Sequence, residues 1–257
     1  MDNYYCLKWT FTPSDYFGQE LSPSLEGVTI SIGHGVAEAR VDKAIYEQDF
    51  SLRKKLHEYL LQAFRGAQLS VLEPFELSWP AETEIRADGK RIVYFGPSTI
   101  SASSRASANN TVIHKADGTV IGTKAERLAQ KRQFGELVQK HSSDRYLVGM
   151  LRSISSALTN KDNCLVYLYE ILDSLTLKFS TKKQALAALS LTKDSWSTLG
   201  RLANDEPLQE GRHRGRAVVD LRPATQMELD ECMSIAREFV VAYIQYLEEM
   251  TALNPTK

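Results

Sequence analysis

The apolar residues of this chain change their period once, and that change limits what it can fold into. Up to about residue 123 they come in short runs that alternate with polar residues. From Lys124 onward they recur at spacings of three and four, and the pattern holds to the end. A strand turns every second side chain to one face, and a helix every third or fourth. The switch therefore predicts an α+β fold: a β-rich domain with one helix over residues 1–123, then an all-α helical bundle over 124–257, the boundary falling between 97 and 143.

Within the first part, Tyr4–Phe11 is aromatic and β-branched and is stopped by Pro13, which predicts a strand. Val28–Ile32 alternates apolar and polar, and Gly33-His34-Gly35 predicts a tight turn into a second strand over Val36–Val41. Phe50, Leu56, Leu60, Leu61 and Phe64 predict a helix over residues 49–65 with Gly66 as its stop. Leu69–Leu77 and Glu82–Phe95 read as strands, the second folded into a two-residue hairpin at Asp88-Gly89. Residues 97–110, crowded with Ser, Ala and Asn, predict a loop, and a short strand pair is expected at Thr111–His114 and Thr119–Ile121.

The second part predicts helices over 124–140, 143–158, 163–179, 181–190 and 193–204, with Ser143 as one N-cap. Leu165, Leu168, Leu172 and Leu175 form a stripe in the third of these. The last helix is the clearest element. Thr225 and Glu228 form a capping box, and Leu229, Cys232, Ala236, Phe239, Val240, Tyr243, Ile244 and Leu247 mark one apolar face.

Composition narrows the function classes. A net charge of −1 over 257 residues gives no global attraction to nucleic acid or anionic lipid, so a polyanion site must be a local patch. Cys6, Cys164 and Cys232 are far apart in sequence and read as buried small hydrophobes in a reducing compartment, hence a cytoplasmic protein. The stretch MDNYYCLKW does not read as a secretory leader, and no apolar run in the sequence is long enough to span a membrane, so neither is expected. Phosphate-binding glycine loops, nucleophile elbows and zinc spacings are absent, so the expectation is no metal and no cofactor. Trp9, Trp79 and Trp196 read as core or partly buried anchors.

The segment Asn204–Arg216 stands apart. Residues 212–222 carry four arginines, Arg212, Arg214, Arg216 and Arg222, against one acid, Asp220. Guanidinium groups at this density bind phosphate oxygens through paired hydrogen bonds. His213 among them titrates near neutrality, as proton transfer requires. A solvated loop salt-bridged to Asp205, Glu206 and Glu210 is the competing reading. Residues 124–152, with seven Lys/Arg against three Asp/Glu, add a second basic stretch that a solvated helix face also explains.

Four stretches together resemble the HEPN superfamily of helical bundles: the helix Asn163–Glu170, the later helix Trp196–Asn204, the Arg212-His213 pair before a glycine turn, and the closing helix introduced by Pro223–Glu228. The resemblance covers residues 143–250. It implies a dimer, or a partner protein, and a metal-independent ribonuclease acting in antiviral defence or a related stress response. A histidine would act on the 2′-hydroxyl of RNA and an arginine on the scissile phosphate, a few residues apart in sequence. This chain departs from that spacing: Arg201 lies twelve positions before His213, and Arg212 is adjacent to it. On the resemblance the catalytic candidates are His213, Arg212, Arg201 and Asn204, with Arg214, Arg216 and Arg222 binding the polyanion. Two other readings stand beside it: a non-catalytic dimerisation or assembly subunit, and a small-molecule sensor built on the N-terminal part around the turn at 33–35 and the loop 97–110.

Overall fold

A computed structural model describes residues 3–17, 24–25, 28–94, 124–212 and 220–253. The fold is α+β, with an antiparallel sheet in the N-terminal part and helices in the C-terminal part. The chain forms two compact units, Met1–Ala67 with Phe75–Gln133, and Gln68–Pro74 with Phe134–Lys257.

The sheet of the first unit contains β1 (Tyr4–Thr12), β2 (Ser24–Leu25), β3 (Val28–Gly33), β4 (Val36–Asp42), β5 (Glu76–Leu77), β6 (Ala81–Ile85) and β7 (Arg91–Tyr94), in the order β2-β3-β4-β1-β6-β7, with β5 also pairing β1. Strand β1 is central, paired with β4 on one edge and β6 on the other, and it faces the core on one side alone: Tyr5, Leu7, Trp9 and Phe11 are buried, whereas Lys8, Thr10 and Thr12 are exposed. The turn between β3 and β4 is the expected tight one. His34 and Gly35 both have positive φ, 50° and 80°, the mirror-image geometry that matches the twist of a hairpin. At Asp88-Gly89 the hairpin is wider than the dipeptide suggests. Gly89 donates to Arg86 O (2.8 Å) and Arg86 donates to Lys90 O (3.0 Å), so the loop has three residues with Gly89 at φ 80°.

The helical content of this part departs from expectation twice. A short α1 (Lys43–Gln48) follows β4, started by Asp42, whose carboxylate accepts from the N–H of Ala44 (2.8 Å) and Ile45 (3.4 Å). Helix α2 spans Leu52–Val71 rather than 49–65, so it passes through Gly66 and takes the place of the strand expected from Leu69. Burial of Ala67, Gln68 and Leu69 outweighs the propensity cost of one interior glycine. The helix ends where Leu72 turns to φ 52° shortly before Pro74. Leu52, Leu56, Leu60 and Phe64 lie on the face of α2 turned to the sheet. Phe64 is the centre of that core, with ring centroids 4.8–5.2 Å from those of Phe11, Tyr16, Phe17 and Phe75. The expected loop at 97–110 and the strand pair at Thr111–His114 and Thr119–Ile121 lie outside the described residues.

The later helices are α3 (Lys124–Lys140), α4 (Arg145–Thr159), α5 (Cys164–Phe179), α6 (Lys182–Ala188), α7 (Lys193–Gly200) and α8 (Gln226–Leu253). The N-cap of α4 is Asp144, one residue beyond the expected Ser143. It accepts from the N–H of Tyr146 and Leu147, and from the hydroxyl of Tyr243 in α8. The leucine stripe of α5 is buried throughout, and α8 turns Cys232, Ala236, Phe239, Val240, Tyr243 and Ile244 into the same core. Trp196 stacks on Phe239 at 5.7 Å. Cys164 and Cys232 are buried free thiols, and burial pushes Cys232 up to about 12, a value at which it carries no thiolate near neutrality. Trp9 and Trp196 are buried anchors as expected. Trp79 is about half exposed, resting beside His57 with Arg53 over its ring. Among the described residues no helix is long and apolar enough to cross a membrane.

Because Phe64 contacts four other rings in a core with little room to collapse, Phe64→Ala is expected to destabilise the protein by about 3–5 kcal/mol, read as a lowered urea midpoint.

Candidate functional site

The chain between α7 and α8 is built by three local devices. Helix α7 does not stop at Gly200 but widens into a single π turn, Arg201–Asp205, closed by the N–H of Glu206 on Arg201 O at 2.9 Å. Single π turns recur at functional sites because they re-aim side chains without ending the helix. Next, the backbone folds back on itself: Arg212 donates to Ala203 O (2.9 Å). Gly211 allows this approach, since a Cβ there would lie 3.2 Å from Leu208 O. Finally, Gln209 donates to Arg222 O (2.9 Å) and Arg222 donates to Pro207 O (3.0 Å), so the segment that leaves at 209 is tied off where it returns at 222.

A carboxylate network fixes that return. The Arg222 guanidinium forks onto both oxygens of Glu228 (2.7 and 2.9 Å) and also reaches Glu206 (2.8 Å). Glu228 closes the capping box read from the sequence: it accepts from Thr225 N–H (2.8 Å), while Thr225 Oγ1 accepts from Glu228 N–H (3.3 Å). The Arg222 hydrogen bonds, followed by that of Thr225, hold the Glu228 carboxyl down at about 2, and the contacts with Glu228 and then Glu206 raise Arg222.

Beside this network lies a cleft of about 270 Å³ between α5 and the α7–π turn segment. Tyr169, Asp173 and Thr176 reach it from α5 at helical spacing, and Ser197, Arg201 and Asn204 reach it from the other wall. Lys182 also lines it, donating to Ser197 Oγ (3.3 Å) and sitting 5.8 Å over the Trp196 ring. Arg212 stands at its edge: it donates to Asp173 Oδ2 (3.1 Å), and its guanidinium carbon lies 4.6 Å from the centre of the Tyr169 ring.

The structure thus brings Arg201 and Asn204 together in one cleft and places Arg212 against two of the residues that line it. Each of the three is already engaged: Arg201 with Glu206, Asn204 with Asp205 Oδ1 (2.8 Å), and Arg212 with Asp173. Arg222 does not line the cleft and serves the helix start instead. His213, Arg214 and Arg216 lie outside the described residues. Glu170, beside Tyr169 on α5, is exposed and accepts from Ser153 Oγ (2.7 Å). The sequence reading does not single out Asp173 or Lys182, and it takes Trp196 as an anchor and Tyr169 as part of a helix rather than as site residues. The available signal was the polar run Tyr169, Asp173, Thr176 at spacings of four and three, a second stripe beside the buried leucines of the same helix.

No protein-family model, no curated protein and no solved structure matches this chain.

Two outcomes follow from the supports of the cleft. The Glu228 carboxyl sits below its ordinary value of 4.5. Its stabilising contribution is therefore complete above that pH and is lost as pH falls toward 2. Glu228→Gln is expected to cost about 1 kcal/mol near neutrality, with the difference from the parent protein shrinking in acid, as followed by thermal melts across pH. Gly211→Ala forces backbone apart at 3.2 Å, so it should weaken the Arg212–Ala203 bond, read as faster amide exchange at Arg212.

Proposed function

We propose that the helical C-terminal part is a HEPN-like bundle that binds RNA, or a polyanion of similar chemistry, at the cleft lined by Arg201 and Asn204. The observation that supports this reading most is the convergence of Arg201 and Asn204 on one π turn, with Arg212 beside them. An exposed arginine–carboxylate pair is worth roughly 0–1 kcal/mol. A phosphate offering paired oxygens can therefore displace Glu206 from Arg201 at little cost. In this reading Arg201 carries the phosphate, Asn204 orients it, and His213 supplies the group that titrates near neutrality. If the complex is reactive, the chemistry is metal-independent RNA cleavage through the 2′-hydroxyl, within an antiviral or stress response.

A second reading, a non-catalytic dimerisation or assembly subunit, draws on a different observation. All three described arginines of the 201–222 segment, Arg201, Arg212 and Arg222, already have carboxylate partners. That arrangement suits a rigid connection as well as a binding loop.

Binding of single-stranded RNA at low salt separates the two readings. For the RNA-binding reading, Arg201→Ala should cost about 1.5–3 kcal/mol of affinity, tenfold or more, by fluorescence anisotropy, and should reduce the salt slope by about 0.7, one phosphate contact on a single strand. Equal affinity of the parent and Arg201→Ala proteins, or no RNA binding by either, together with a dimer or larger assembly by light scattering, would establish the second reading. Cleavage of labelled RNA in the presence of a chelator, abolished by His213→Ala, tests the catalytic step.

A further inference from the structure

Among the described residues that line the cleft, Lys182 and Arg201 are balanced by Asp173 and Asp205. Within that lining, shape and directed contacts carry selection beside charge. Arg212 is the group whose surroundings say which contact. Asp173 takes an N–H at one edge of the guanidinium at 3.1 Å, and Tyr169 backs the guanidinium with 4.6 Å between its carbon and the ring centre. The backbone N–H of Arg212 is anchored on Ala203 O. The side chain is nonetheless 44% exposed. Arg201 is carboxylate-paired as well, so pairing does not separate the two; what sets Arg212 apart is the Tyr169 ring against its guanidinium.

Resting on the reading above, we infer that Arg212 is a stacking platform for a nucleobase rather than a phosphate ligand, so that the cleft takes single-stranded RNA one base at a time. Guanidinium planes stack on bases as aromatic rings do, and unpaired bases are the part of RNA that can be splayed onto such a surface. The cleft, about 270 Å³, is smaller than ordinary ligand pockets of roughly 300–1,000 Å³ and is too small for a duplex. Tyr169 and Asp173 are positioning residues here: they hold the guanidinium in place before the base arrives, which lowers the ordering cost of binding. Arg201 remains the phosphate contact. Adenine, with the larger stacking surface, is favoured over uracil.

The test compares anisotropy titrations of the full chain with fluorescent decamers of adenylate and of uridylate, and of unlabelled polyphosphate as competitor. Arg212→Ala and Arg212→Lys should both lose about tenfold for the adenylate decamer, because lysine keeps the charge and lacks the plane. Asp173→Asn should also weaken binding, since the platform is then unsupported. The salt slope should be unchanged by Arg212→Ala. The opposite pattern overturns the inference: Arg212→Lys equal to the parent, Asp173→Asn binding tighter, and a slope reduced by about 0.7 for Arg212→Ala, the signature of one lost phosphate contact on a single strand. If Arg201→Ala abolishes binding while all Arg212 variants match the parent, the stacking role fails and the RNA-binding reading survives. If the parent protein binds no RNA, both fall.

Discussion

The fork of Arg222 on Glu228 is the constraint on which the rest of the site depends. It joins two tasks that a sequence of this kind would otherwise perform separately. Glu228 must satisfy the open N–H groups at the start of α8, the longest helix, and the chain returning from residue 212 must be brought back to that start. One carboxylate accepts both from Thr225 and from Arg222, and Glu206 completes the arginine's shell from the far side of the segment. A charge-assisted, two-pronged contact is stronger and more directional than a neutral one. With the ends of the segment tied by the 207–222 and 209–222 backbone bonds as well, the π turn that precedes it is held from both directions.

Holding the π turn matters because its hydrogen bonds reach one residue further than those of an α-helix and are harder to satisfy. Here the wider turn leaves Ala203 O available, and the N–H of Arg212 takes it. The cost of the irregular turn is thus offset by a bond that also fixes where Arg212 begins. The side chains of Arg201 and Asn204 point into the cleft from the same turn. Helix irregularity, loop closure and the placement of three polar side chains are therefore one structural event rather than three.

How legible this was in the sequence varied with the range of the interactions. Elements set by neighbours in the chain were read directly: the His34-Gly35 turn, the alternating strand β1, the leucine stripe of α5 and the Thr225–Glu228 box. Elements decided by burial at a distance were not. Gly66 marks a helix end by local rules, yet α2 runs through it because Ala67 and Leu69 are buried further along. At Asp88-Gly89 the dipeptide signals a turn, but the number of loop residues depends on strand register. In the site, Arg201 and Asn204 are candidates on the family resemblance, whereas Tyr169 and Asp173 belong to α5. Only packing of α5 against the α7 segment makes them neighbours, and no spacing rule along the chain encodes that.

The same distinction applies to the two described arginines of residues 212–222. In sequence, residues 212–222 hold four arginines and one acid. In space, Arg212 meets Asp173 from α5, and Arg222 meets Glu206 and Glu228 from either side. The local field of a basic segment is set by the acids that other elements bring to it, and at Debye lengths of about 8–10 Å those partners weigh more than residues further along the chain. A guanidinium neutralised in this way loses long-range reach but keeps its planar faces and its rigidity. What such a group can still discriminate is the shape and polarisability of what lies against it. In the RNA-binding reading proposed above, that is how Arg212 beside Tyr169 would choose among bases at contact.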